Sequence, residues 1–187
     1  MSLYQSDSIE ILQGLEPIRK RPGMYTETTS PMHLFQELID NSVDEALSGY
    51  CKNIEVVLYD DNSISVRDDG RGMPVDIHPE QQISGVEVIF STLHSGAKFS
   101  NKEYLFSGGL HGVGVCVVNA LSYQLEVEVK RQGKAYQINF KDGVAQSRLK
   151  EIAKIAKNQT GSFVRFWPDE QYFDSVDFSI NKLKKIR

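Results

Sequence analysis

His33, Glu37, Asn41 and Asp44 recur at intervals of three or four residues, the spacing that gathers side chains along one arc of a helix. They bring an imidazole, two carboxylates and an amide to one volume. A carboxylate so placed could take a proton from water, and the asparagine, mildly unfavourable inside a helix, invites a role. A further acid, Asp68, ends the run Ser63–Asp68 on the face that begins Ile64, Val66, because alternate strand residues share a face. An inward carboxylate is costly without a partner. A ligand donor such as an adenine exocyclic amine would satisfy it and confer specificity. On the residues alone two readings of each stay open: the helical arc is a site or a solvated polar face, and Asp68 faces inward or forms a turn ahead of Asp69-Gly70.

Two glycine clusters flank these acids, Gly70 and Gly72, then Gly108, Gly109, Gly112 and Gly114. The second precedes an apolar helical segment, so backbone N–H groups and the helix dipole would point at an incoming phosphate. Its spacing is neither that of the Gly-x-x-x-x-Gly-Lys loop nor that of the dinucleotide-binding fingerprint. Lys98, upstream, is either a point charge that closes over phosphates or a solvated side chain. Arg131 follows Leu125, Val127 and Val129 on one strand face, and either reaches the pocket rim or snorkels. His94 and His111 show no metal-ligand spacing with Cys or Asp, so no protein-only metal cage is expected.

The elements that must carry these residues follow from periodicity and breakers. A helix is expected over 6–20, stopped by Arg21-Pro22-Gly23. Another is expected over 31–48, with Ser30 as N-cap, Gly49 as its stop, and Leu34, Phe35, Leu38, Ile39, Val43 and Ala46 on its packing face. Residues 53–59 and 63–68 alternate and read as a hairpin through Asp60-Asp61-Asn62. Helices are expected over 84–94, 112–121 and 148–157, with one starting at 178, and strands over 123–131, 134–141 and 162–167. Residues 95–109 have no period and read as a loop. This order predicts an α+β two-layer sandwich, one mixed and mostly antiparallel sheet with helices on one face.

Composition narrows the function classes. The chain has 187 residues, 40% hydrophobic and 25% charged, with a formal net charge of −4, as expected for one globular domain. That charge argues against a large nucleic-acid surface; Arg19-Lys20-Arg21 reads as a basic helix end. No apolar run approaches the ~20 residues that span a bilayer, and the polar start is not a secretory signal. Cys51 and Cys116 form no paired motif, which points to a reducing compartment. The basic C-terminal run is expected to be a cut within a larger protein.

Glu37-x-x-x-Asn41, Asp68-Asp69-Gly70-Arg71-Gly72 and Gly109-Leu110-His111-Gly112-Val113-Gly114, in this order, resemble the GHKL ATPases. The likeness is nearest the B subunits of bacterial type IIA topoisomerases. It extends over Gly14-Leu15-Glu16-Pro17, Arg21-Pro22-Gly23-Met24-Tyr25, residues 40–46, Val117-Val118-Asn119-Ala120-Leu121 and Phe166-Trp167-Pro168. Tyr25-Thr26-Glu27-Thr28-Thr29, residues 73–79, Lys98-Phe99-Ser100-Asn101-Lys102 and Trp167-Pro168-Asp169-Glu170 resemble the topoisomerase IV branch more than gyrase.

The resemblance implies roles. Glu37 would be the general base for water, with His33 holding it, and Asn41 would bind the Mg²⁺ that accompanies ATP. Asp68 would accept the adenine amine, with Gly72 and Thr160 sharing a bound water. Arg71 and Pro74 would form a wall and Arg131 the rim, while Asp44, Glu45, Met73 and Ile89 complete the pocket. Gly109, Leu110, His111, Gly112, Val113, Gly114 and Val115 would wrap the phosphates, beneath a lid over 95–109 that carries Lys98 and Tyr104. Tyr4, in a dimerisation arm over 1–7, would reach the partner's nucleotide. The chain would be a single N-terminal ATP-binding subdomain, residues 1–187, lacking the transducer and later domains. A fragment without the transducer is expected to bind ATP with little turnover. The implied partners are the topoisomerase IV A subunit in an A2B2 assembly, a second B subunit on ATP binding, DNA through other domains, and inhibitors competing at the adenine end. The implied location is cytoplasmic. Strand passage driven by ATP is the implied function. A histidine-kinase-type phosphotransfer module and a nucleotide-gated dimerisation module are the alternatives from other classes.

Overall fold

The computed structural model describes residues 10–93 and 114–183. Tyr4 and the expected arm, the expected loop with Lys98 and Tyr104, and Gly109, Leu110, His111, Gly112 and Val113 lie outside the described residues.

Among the described residues seven strands form one sheet: β1 (Ile54–Leu58), β2 (Ile64–Asp68), β3 (Ser122–Arg131), β4 (Lys134–Lys141), β5 (Val144–Ala145), β6 (Lys150–Lys154) and β7 (Gly161–Pro168). Their order is β1-β2-β7-β3-β4-β5, with β6 also pairing β4. All of these pairings are antiparallel. Alternation decides which face is covered. Ile64 and Val66 of β2, Leu125, Val127 and Val129 of β3, Ile138 and Phe140 of β4, and Val164 and Phe166 of β7 are all buried in one core. The intervening Arg67, Glu126, Glu128 and Arg165 are partly exposed. The helices α1 (Glu16–Lys20), α2 (Met32–Leu47), α3 (Gly85–Ser91) and α4 (Gly114–Ala120) supply the other layer, with Ile18, Leu34, Phe35, Leu38, Val86, Phe90, Val117 and Val118 in the same core. A short α5 (Ile180–Leu183) follows.

The hairpins are set by turn residues. Gln132-Gly133 and Asp142-Gly143 both hold positive φ at two successive positions, which joins β3 to β4 and β4 to β5 through two residues each.

Three expectations are corrected. The first helix is confined to Glu16–Lys20 within the described residues, because Gly14 at φ 55° breaks the path and Pro17 suits only a first turn. The cap of α2 is Pro31 rather than Ser30; the Pro31 carbonyl accepts the Phe35 N–H at 3.2 Å. Residues 148–157 form no helix: Lys150–Lys154 is β6, paired with β4. Its Lys, Glu and Ala favour a helix weakly, but β4 offers backbone partners to all of the segment except Ile152, where the register shifts.

Candidate functional site

α2 carries the site along its length. In its first half, the side chains of His33 and Glu37 are 39% and 23% exposed, with His33 Nε2 3.8 Å from Glu37 Oε1. Thr26 Oγ1 is hydrogen-bonded to His33 Nδ1 at 2.9 Å. One turn on, Asn41 Nδ2 donates to the Glu37 carbonyl at 2.7 Å, so Oδ1 is the end of that amide suited to a cation. Gly114 opens α4 directly against Glu37: a Cβ there would overlap Oε2. The glycine therefore supplies space, and its own φ is not positive. Val115 beside it is partly buried against the core.

The second half of α2 meets the end of β2. Ser42, 4% exposed, donates its hydroxyl to Asp68 Oδ2 at 3.2 Å, and the Gly70 N–H donates to Asp68 Oδ1 at 2.9 Å. Both readings of Asp68 thus hold together: one oxygen closes the local turn, while the other accepts from Ser42 of α2. Burial pushes the Asp68 pKa up and nearby Glu45 adds to the rise, while N–H donors of Gly70 and Ser162 and the Ser42 hydroxyl oppose it. Asp68 and Thr160 also border a cavity of about 140 Å³ with Arg67, Asp69, Glu128, Lys130 and Phe163, a lining that includes no residue of α2. Gly161, at φ 138°, has no room for a side chain, since a Cβ would overlap the Asp68 carbonyl oxygen.

Arg71 is clamped rather than loose. Its Nε and Nη2 donate to Glu45 Oε2 and Oε1 at 3.1 and 2.7 Å, and its backbone N–H donates to Oε2 at 3.1 Å. Its guanidinium lies 3.9 Å from the centre of the Tyr50 ring. Such a planar fork against a carboxylate fixes direction as well as charge. Arg131 Nη1 donates to the Gly72 carbonyl at 2.6 Å, which pins the Asp69–Gly72 turn to the end of β3. Met73 and Ile89 are half-buried beside the core. Pro74 is exposed and rests on the start of α3, where a Cβ on Gly85 would lie 2.8 Å from the Pro74 Cβ.

Asp44 departs from the open arc expected of it: it is 1% exposed. Two polar residues with clear roles were not singled out from the sequence, Ser42 and Thr26. A serine on the apolar side of an amphipathic helix is the signal for the first; nothing local marks the second. Cys116, in the first turn of α4, is pushed up to about 12 by burial, with the Glu37 charge adding to the effect, so it remains a thiol and no nucleophile.

The site therefore has a carboxylate at a glycine-edged helix start and a partly buried acid at the end of β2, joined by one helix. The family model of histidine kinase-, DNA gyrase B- and HSP90-like ATPases matches residues 26–171. The chain belongs to that family.

As a member of this ATPase family it is an ATP-binding domain. It is 59% identical over 186 residues to the B subunit of DNA topoisomerase 4 from Pseudomonas aeruginosa, a match covering 100% of this chain and 30% of that protein. The Escherichia coli K12 protein of the same name is 57% identical over 183 residues, covering 98% and 29%. The B subunit of DNA gyrase from Thermotoga maritima is 51% identical over 181 residues, covering 95% and 28%. The chain thus spans about 30% of the length of the curated relatives it matches. The solved topoisomerase IV ATP-binding domain of Francisella tularensis, in complex with a small-molecule inhibitor, is 51% identical, with a TM-score of 0.82, covering 96% of this chain and 84% of that one. Among the described residues no helix is long and apolar enough to cross a membrane.

Proposed function

We propose that this chain is the ATP-binding and ATP-hydrolysing domain of a topoisomerase IV B subunit, in which Glu37 is the base for the attacking water. The observation that carries this reading is the contact of Glu37 with Gly114, beside a partly buried Asp68 that meets the same helix. Asp68 would accept the adenine amine, and Gly72 and Thr160 would share a water with the ring. Arg71, held flat by Glu45, would form one wall with Pro74, with Arg131 at the rim and Met73 and Ile89 on the apolar side. Gly109 to Val115 would surround the phosphates, with Lys98 and Tyr104 above them and Tyr4 of a second copy completing the pocket.

Magnesium fits the same residues. Among the described residues no group of three or more His, Cys, Asp or Glu could cage a metal, so a cation would rest on Asn41 Oδ1 and on oxygens that the nucleotide brings. When bound, it would neutralise phosphate charge. Glu37 orients the water and receives its proton, and His33 fixes the direction of the carboxylate.

The stronger likeness to topoisomerase 4 proteins, at 59% identity against 51% for gyrase, favours the former. In the whole protein, nucleotide-driven pairing of B subunits and partnership with an A subunit would couple hydrolysis to DNA strand passage, with DNA held by other domains. Inhibitors that compete at the adenine end should fit beside Asp68, Arg71 and Arg131. Calorimetry of this chain with a non-hydrolysable ATP analogue tests the site. Binding is expected, tighter with Mg²⁺ than without. A flat titration under both conditions would overturn the proposal.

A further inference from the structure

The run Arg21-Pro22-Gly23-Met24-Tyr25 has no part in the pocket as described so far. It forms a short 3₁₀ turn, Pro22–Met24, in which the N–H groups of Tyr25 and Thr26 both donate to the Pro22 carbonyl, at 2.9 and 3.0 Å. This turn delivers Thr26, 8% exposed, on a fixed backbone to the ring of His33. A buried hydroxyl is costly without a hydrogen bond, and this one is bonded to His33 Nδ1 at 2.9 Å. On the far side of the ring, Nε2 faces Glu37 Oε1 at 3.8 Å. Hydroxyl, imidazole and carboxylate form one line.

From this line we infer that Thr26 is a positioning residue: it fixes the tautomer and ring plane of His33, and through them the direction of Glu37. The inference rests on the reading of Glu37 as the base. Its chemistry is one of donors and acceptors. A threonine hydroxyl can donate or accept, whereas a neutral imidazole donates from one nitrogen and accepts at the other. With its proton on Nδ1, the ring would turn the Nε2 lone pair toward the Glu37 carboxylate, acceptor against acceptor. With the proton on Nε2, the N–H faces the carboxylate and Nδ1 accepts from the Thr26 hydroxyl. The second arrangement makes the Thr26 bond at 2.9 Å and turns a donor rather than a lone pair toward the carboxylate 3.8 Å away, so Thr26 donates and His33 is the Nε2–H tautomer. The hydrogen bond at one ring nitrogen decides what the other can do. Packing cannot replace this bond, because the His33 side chain is 39% exposed and its outer torsion is intrinsically broad.

Two variants test the assignment. Thr26→Val keeps the shape and removes the hydroxyl; Thr26→Ser keeps the hydroxyl. Long-range ¹H–¹⁵N spectra of the His33 ring in this chain should show the Nε2–H pattern in the wild type and in Thr26→Ser, and a mixture of tautomers in Thr26→Val. In the full-length subunit, Thr26→Val should lower kcat about tenfold, as expected for one lost hydrogen bond. The KM for ATP should stay within about twofold, since binding is not touched. Thr26→Ser should restore kcat. An Nδ1–H pattern in the wild type would overturn the inference, and so would a fall in kcat in Thr26→Val with an unchanged His33 spectrum. The spectra do not depend on what Glu37 does. If Glu37→Gln kept turnover while Thr26→Val still scrambled the tautomer, the Thr26–His33 assignment would stand and the reading of Glu37 would fall.

Discussion

Gly114 lies so close to the carboxylate of Glu37 that no methyl group fits between them. The contact joins the first turn of α4 to the middle of α2, so the spacing of these two helices sets where the carboxylate points. A glycine at a helix start with ordinary φ is usually replaceable, and alanine there would gain about 0.8–1 kcal/mol of helix propensity. Here the requirement is for space.

Gly114→Ala should therefore separate stability from activity. Either Glu37 or the start of α4 must shift, and a displacement on the order of 1 Å at a reacting group can cost roughly a hundredfold in rate. The expected result in the full-length subunit is a loss of about that size in kcat, with a melting temperature that falls little. Wild-type turnover in this variant would show that the contact does not position Glu37.

Glu37→Gln keeps the shape of the side chain and removes its ability to take a proton. Nucleotide affinity should stay within a few-fold, while turnover falls by about 10²–10⁴-fold, the range for a lost general base. Paired calorimetry and steady-state assays check both halves. Turnover near the wild-type level would assign the base elsewhere.

The alignment of Glu37 with Asn41 and the inward option for Asp68 were legible from local periodicity, helical spacing for the first two and strand alternation from Ile64 for the third. Periodicity left open whether that arc is solvated and whether Asp68 only forms a turn; the contacts with Gly114 and Ser42 decide it. The sheet was legible for the same reason wherever strands alternate, as in β3 and β4. Pairing was not. Lys150–Lys154 has no apolar alternation and becomes a strand only because the edge of β4 is open to it. The hydrogen bond from Ser42 to Asp68 joins residues 26 apart, and the Glu45–Arg71 clamp spans the same separation. Asp44 was misplaced because spacing gives an angle around a helix and not what lies opposite it. Such contacts depend on how α2 docks on the sheet, which no local pattern encodes.

Asp61, in the β1–β2 turn, stands outside the nucleotide site and should govern acid stability. Its carboxylate accepts from the Ser63 hydroxyl at 2.6 Å, and from Trp167 Nε1 and Arg165 Nη2, both at 2.9 Å. Led by the Ser63 bond, these hold its pKa down at about 2, against 3.8 for a free aspartate. A depressed folded-state value stabilises the fold above the unfolded value, and that contribution is lost as pH falls from 3.8 through about 2. Asp61→Asn should melt at a lower temperature at neutral pH and lose less stability across that acid window. The effect should be modest, because the pair with Arg165 is half-exposed. ATP affinity should not change. Parallel pH profiles of melting for the two proteins would contradict the assignment.

Asp68→Asn should act in the opposite sense on stability and strongly on ATP. Burial raises the Asp68 pKa in the folded chain above 3.8. Its charge therefore opposes folding at neutral pH, and the wild-type chain gains stability as pH falls through the raised value toward 3.8. Asparagine carries no charge to bury, can still accept from the Gly70 N–H, and can donate to the Ser42 hydroxyl. The variant should be at least as stable as the wild type at neutral pH and should lack the acid-side gain. Adenine recognition needs an acceptor, so ATP binding should weaken by about 1.5–3 kcal/mol, roughly tenfold or more. In the wild type that affinity should itself decline as pH falls through the raised pKa, whereas in Asp68→Asn it should be flat over the same range. Calorimetric titrations with ATP and GTP at several pH values, with melts alongside, read both effects. Equal losses for the two nucleotides would show that the carboxylate does not read adenine.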